Sequence, residues 1–342
     1  MDSTAIANAL TAWLRRRQPA TKHASVQNLC ESGAGYSNIT WIGEYAGSGI
    51  VLRLESRHAS VYPDTDIVRQ YRVLERLQDS AVPVPRLLGL EADAAVLGAP
   101  FYLMERVDGQ VPNENPLYHQ AGWFHDLPVT DRRRHWCAGL DAVAAIARVE
   151  YRERGLEFLR RDPSRPPLAS QLEYYRDAVG WAERLGRPYP HLRAAFDWLW
   201  RHQPQGESMA LSWGDAKLGN CVFREGRVVA ALDWEQATLA NPVDDLAWWL
   251  MLDESLSDGY GVPRLAGLPS RAESIVYWEH ASGLHAQDLL YYDVYAAWRM
   301  AYVMARIGTI FLERGWVKPQ DEMDVRNGGA TLLARHAERL GF

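Results

Sequence analysis

The first hundred residues alternate apolar and polar positions mostly at a two-residue period, and most of the remainder changes to a helical one. Residues 36–54 hold two β-rich runs broken by Gly47-Ser48-Gly49, which predicts a hairpin. Residues 66–78 predict a helix, with Ile67, Leu74 and Leu77 on one face and the polar Gln70 among them. Val82-Pro83-Val84-Pro85 punctuates the chain, and Phe101-Tyr102-Leu103-Met104 predicts a short buried strand. Past Asp108-Gly109, segments 130–150, 170–184, 190–203 and 284–313 read as helices. Strand patterning returns there only in Ser212–Glu235, SWGDAKLGNCVFREGRVVAALDWE. This order predicts an α+β protein of two lobes joined near residues 105–112, with no internal repeat. The expected division is an N-lobe at 1–106 (terminal helix, antiparallel sheet and one helix) and a helical C-lobe at 107–342.

At the N-terminus, Ile6, Leu10 and Leu14 share a helical face, and Arg15-Arg16-Arg17 follows. A secretory signal places its charge before the apolar core, so a surface helix docking one apolar edge is expected. No run approaches a membrane span. The net charge of −6 over 342 residues supplies no global basic field, which argues against nucleic acid as a partner. Arg132-Arg133-Arg134 reads as a solvated helix face. Cys30, Cys137 and Cys221 are odd in number and widely spaced, fitting neither a disulfide framework nor a zinc site. A reducing cytoplasm is the expected compartment.

The candidate chemistry lies in Ser212–Glu235. Glu225-Gly226 between two β-rich runs predicts a tight hairpin that brings Asn220 and Asp233 together at its open end. Residues paired across a hairpin sit about 5 Å apart. One amide oxygen and one carboxylate, with Glu235 just beyond, suit magnesium, which leaves its other positions to water and phosphate. Asp215, five residues before Asn220, is placed to orient a hydroxyl and accept its proton. Lys217 is placed to offset charge on a transferring phosphoryl group.

The order Asp215, Lys217, Asn220, Asp233 resembles the catalytic loop and metal-binding Asp of the protein-kinase-like superfamily. GDAKLGN, ALDWE and Asn241-Pro242-Val243-Asp244-Asp245-Leu246-Ala247 resemble its aminoglycoside phosphotransferase and choline kinase branch. More narrowly, they are similar to phosphotransferase domains related to those fused to some acyl-CoA dehydrogenases. The resemblance covers roughly residues 24–315. It implies a protein-kinase-like fold with a small β-rich N-lobe for nucleotide and a larger helical C-lobe for catalysis, metal and acceptor. It implies Asp215 as catalytic base, Asn220 and Asp233 as magnesium ligands, and Asp245 as support for the loop. Glu235 would be a second-metal or substrate contact. Trp213 stands where the family commonly has a bracing His, and a packing role is expected for it.

The same resemblance assigns an ATP side. Ser37 and Asn38, in the turn Gly33-Ala34-Gly35-Tyr36-Ser37-Asn38, would donate to phosphate oxygens. Arg53 would hold phosphate from the strand, and backbone groups of Glu105 and Val107 would read adenine. Gln70 replaces the family's Glu, so it can hydrogen-bond Arg53 without neutralising it. The acceptor is a small-molecule hydroxyl, aminoglycoside-like or hydroxyacyl-type. Tyr174, Tyr175, Trp181, Tyr291, Tyr292, Tyr295 and Trp298 form aromatic stripes that suit either core or acceptor platform, with Asp293 and Arg299 both available. A nucleotide-binding pseudokinase with a regulatory or scaffold role is the alternative, and magnesium-dependent phosphate ester hydrolysis a third reading.

Overall fold

The computed structural model describes residues 2–33, 38–56, 60–206 and 208–342. Its chain divides into two compact units, Met1–Asp79 with Val84–Asp108, and Ser80–Pro83 with Gly109–Phe342.

The first unit is built on a sheet of β1 (Gln27–Ser32), β2 (Asn38–Tyr45), β3 (Ser48–Glu55), β4 (Leu87–Glu91) and β5 (Phe101–Glu105), in the order β1-β2-β3-β5-β4. All neighbouring pairs are antiparallel. The hairpin between β2 and β3 turns at Ala46-Gly47, both at positive φ, whereas the sequence pattern pointed to Gly47-Ser48-Gly49. Gly49 lies within β3, where a Cβ would sit 2.8 Å from the Arg106 side chain. Helix α1 (Ser3–Arg17) buries Ile6, Leu10, Trp13 and Leu14 in one core with Trp41, Leu52, Leu54 and Phe101. It is the docked surface helix expected from the sequence. Trp13 needs Gly89 beneath it, because a Cβ there would approach the indole to 2.8 Å. Helix α2 (Ile67–Leu77) is capped by Asp66, which accepts from the Arg69 N–H, and buries Ile67, Gln70, Val73, Leu74 and Leu77 as its period predicts.

The second unit is helical: α3 (Val129–Ala147), α4 (Pro167–Leu185), α5 (Pro190–Arg201), α6 (Val243–Leu256), α7 (Arg271–Ser282), α8 (Leu289–Glu313) and α9 (Gly328–Leu340). Two short antiparallel pairs interrupt the helices, β6 (Ala210–Ser212) with β9 (Thr238–Ala240) and β7 (Cys221–Arg224) with β8 (Arg227–Ala231). Every residue of α6 except Glu254 is buried, so it has no polar face to mark a helical period. Tyr175, Tyr291, Tyr292, Tyr295 and Trp298 are all buried, which makes these stripes core rather than an open platform. The two charges available for an acceptor are internally committed as well. Asp293 pairs with Arg271 at 2.6 Å and Arg299 with Asp244 at 3.0 Å. No helix among the described residues is long and apolar enough to cross a membrane.

Candidate active site

The chain leaves β6 at Ser212 and turns at Gly214, whose φ is +83°. A Cβ there would lie 2.3 Å from the Gln236 carbonyl oxygen, so the turn admits only glycine. The first turn of α6 then grips the loop. Asp245 accepts from Ser212 Oγ at 2.9 Å, the Trp213 N–H at 2.7 Å and the Gly214 N–H at 2.9 Å. Burial and the neighbouring Asp244 raise the Asp245 carboxyl to about 6, against the downward pull of those donors. Asp244 is also raised by burial, opposed by Arg299, which donates to it at 3.0 and 3.2 Å. Arg299 also donates to the Gly214 carbonyl at 2.6 Å. Asp245 thus supports the loop as the resemblance implies.

Asp215 follows this anchored backbone, and both its oxygens are held. The Trp248 indole N–H donates to Oδ1 at 2.9 Å, and Asn220 Nδ2 donates to Oδ2 at 2.8 Å and to the Asp215 carbonyl at 2.9 Å. Lys217 Nζ lies 3.5 Å from Oδ2 and 3.0 Å from Glu114 Oε1. Burial works against the Lys217 charge, but Asp215, Glu114 and Asp233 outweigh it and raise the ammonium above its ordinary value. Gly219 makes room for this pairing, since a Cβ on it would meet Glu114 Oε1 at 2.5 Å. The cavity behind Lys217, bounded by Glu114, Tyr118, Trp249 and Asp253, is only about 10 Å³, about the space of one water.

The two donated hydrogen bonds fix the orientation of the Asn220 amide and leave its oxygen as the atom that would face a cation. The register differs from the simple hairpin reading. Cys221 pairs with Ala231, and the Leu232 N–H donates to the Asn220 carbonyl at 2.8 Å. A bulge between Val222 and Phe223 sets this offset, and Asp233 follows one residue on, at φ +58°. Glu235 is half-buried two residues beyond. Among the described residues no cluster of three or more His, Cys, Asp or Glu forms a metal site. One amide and one or two carboxylates remain a fitting donor set for magnesium, which keeps water and phosphate in its shell. Trp213 ties the loop to this segment, donating from Nε1 to the Leu232 carbonyl at 2.8 Å and stacking on Trp234 at 5.7 Å.

Of the nucleotide-side residues, Ser37 lies outside the described residues, and Asn38 is buried at the start of β2. Arg53, in β3, donates to Thr40 Oγ1 on the neighbouring strand at 3.0 Å. Among the described residues the buried Gln70 Oε1 accepts no hydrogen bond, so the bond it could take from Arg53 is not made. Glu105 ion-pairs with Arg86, whose hydrogen bond holds its carboxyl below the usual range. The Glu105 N–H donates to the Arg86 carbonyl at 2.8 Å, and Val107 lies just past the strand end. Trp248, Glu114 and the Arg299–Asp244 pair were not singled out from sequence for this site. Trp248 had a signal, lying one helical turn beyond Asp245 on the same face.

The profile of the phosphotransferase enzyme family matches residues 29–273. Acyl-CoA dehydrogenase family member 11 of Rattus norvegicus is 25% identical over 302 residues, covering 81% of this chain and 35% of that protein. A probable acyl-CoA dehydrogenase of Arabidopsis thaliana is 28% identical over 308 residues, covering 80% and 35%. The chain spans about a third of the length of these relatives. Among solved structures, a putative aminoglycoside phosphotransferase from Ralstonia eutropha superposes with a TM-score of 0.73 at 25% identity, covering 97% of this chain and 98% of that one. An aminoglycoside phosphotransferase bound to GDP and kanamycin shares the fold, with a TM-score of 0.61 at 14% identity, covering 96% and 98%. With a family profile spanning most of the sheet, the Asp215 loop and α6, this chain belongs to the phosphotransferase enzyme family.

Proposed function

We propose that the chain moves the γ-phosphate of ATP, with magnesium, to a hydroxyl of a small molecule that is aminoglycoside-like or hydroxyacyl-type. The observation that carries this reading is the Asp215 carboxylate, fixed at both oxygens beside Asn220 and Lys217. A general base must be held at hydrogen-bond distance from the proton it takes, and such positioning is a large part of catalysis. Asp215 accepts the acceptor's proton as the new O–P bond forms and the bond from the γ-phosphorus to its bridging oxygen breaks. Lys217 offsets phosphate charge. Asn220 through its amide oxygen and Asp233 would hold magnesium, with Glu235 as a further contact. When bound, the ion neutralises charge on the β- and γ-phosphate oxygens.

Residues 1–106 would bind nucleotide and residues 107–342 would carry catalysis, metal and acceptor. Arg53 would grip phosphate, with Ser37 and Asn38 donating to it. Adenine would meet backbone groups of Val107 and the Glu105 carbonyl, the Glu105 N–H being engaged already. Gln70 leaves the Arg53 charge to be balanced by phosphate. Relatives of the same fold crystallised with AMP-PNP and hygromycin B, or with GDP and kanamycin, support a nucleotide donor and a hydroxylated acceptor.

Following ADP formation from magnesium-ATP across a panel of aminosugars and hydroxyacyl compounds tests this. Acceptor-dependent turnover is expected, reduced about a thousandfold or more in Asp215→Ala. ATP binding with no Asp215-dependent turnover would overturn it in favour of a regulatory or scaffold module.

A further inference from the structure

We infer that Trp248 is a positioning residue for the catalytic base, an inference that rests on the proposed role of Asp215. Its indole N–H donates to Asp215 Oδ1 at 2.9 Å, and the ring is only 3% exposed. The other groups at this carboxylate have competing duties. Asn220 donates to Oδ2 but would turn its oxygen to magnesium, and Lys217 is shared with Glu114. Among the described residues, Trp248 is the donor to Asp215 that has no proposed contact with metal or phosphate. An indole donates one hydrogen bond and accepts none. It therefore orients the carboxylate without competing for the acceptor's proton.

The indole is itself held in place. The Arg299 guanidinium lies 4.5 Å from its ring centroid, while bonding Asp244 at 3.0 Å and the Gly214 carbonyl at 2.6 Å. Asp244 and Asp245 lie in the first turn of α6, and Trp248 lies one turn further on. Through Arg299, the backbone N–H groups and the indole, they fix Ser212, Trp213, Gly214 and the Asp215 side chain as one unit.

The test replaces Trp248 with benzothienylalanine, which keeps the bicyclic shape and substitutes sulfur for the N–H, alongside Trp248→Phe. Turnover on the acceptor found by the panel is measured together with thermal stability and the KM for ATP and acceptor. A displaced reacting group lowers rate steeply. The benzothienyl variant is expected to lose about ten- to a hundredfold in kcat, with both KM values within about threefold of wild type and Tm essentially unchanged. Wild-type kcat in that variant overturns the inference while leaving the transferase reading intact. A wild-type protein with no Asp215-dependent turnover overturns both. A kcat loss that follows Tm or KM across the two variants assigns Trp248 a packing role only.

Discussion

The residues proposed for transfer and those proposed for nucleotide are held by different kinds of force. The polar groups that support Asp215, namely Ser212, Asn220, Asp244, Asp245 and Arg299, are buried and hydrogen-bonded, with Asp245 by itself accepting three donors. On the sheet, Arg53 is half-buried and leans on Thr40, while among the described residues the buried Gln70 oxygen accepts nothing. A buried network is costly when incomplete, so it locks one geometry. A half-buried strand cation bonded to a neighbouring hydroxyl can adapt to what it binds. The carboxylate proposed as base is therefore held by the protein's own groups, whereas phosphate is proposed as the ligand of Arg53 on the sheet side.

If that contrast holds, Gly214→Ala should be the most damaging exchange. The new Cβ meets the Gln236 carbonyl at 2.3 Å, and φ stands at +83°. About 3–5 kcal/mol of stability and more than a hundredfold in turnover should be lost, as read by urea unfolding and ADP release. An active, fully stable variant would mean that the loop is not locked.

Asp245→Asn should come next, with a pH signature. The folded-state carboxyl lies at about 6, above its ordinary 3.8. Over that window the folded protein keeps a proton that the unfolded chain releases, so this group's contribution to stability falls as pH rises from about 4 to about 6. The asparagine variant cannot titrate there. Its deficit against wild type should be largest at about pH 4 and narrow by about 2–3 kcal/mol by pH 7, measured by urea unfolding across that range. A pH-independent difference would show that folding does not raise the Asp245 pKa.

Arg53→Ala should have the smallest effect of the three. The KM for ATP should rise about tenfold, with stability changed by less than about 1 kcal/mol. A large stability loss would place Arg53 in a locked network like that of Asp215 and erase the contrast.

Periodicity and short-range spacing made much of this legible. Ile67, Gln70, Leu74 and Leu77 share a buried face because side chains three and four apart stack along a helix. The five-residue spacing from Asp215 to Asn220 is enough for one side chain to reach the other, and the two do bond. The hairpin register was not legible, because the unpaired extra residue Val229, opposite the Val222–Phe223 step, leaves no trace in the apolar pattern. Nor was α6 marked by its period, since a helix buried on all sides has no polar face to reveal one.

By itself the sequence determined the α+β class and set the candidate base beside its candidate metal ligands. These depend on local backbone preference and on residues a few positions apart. Only the tertiary structure decided what holds the base. Trp248 reaches Asp215 from 33 positions away, Arg299 reaches Gly214 from 85, and Glu114 meets Lys217 across 103. Hydrogen bonds and ion pairs act over a few ångströms in space whatever the separation along the chain, and one-dimensional spacing carries no record of them.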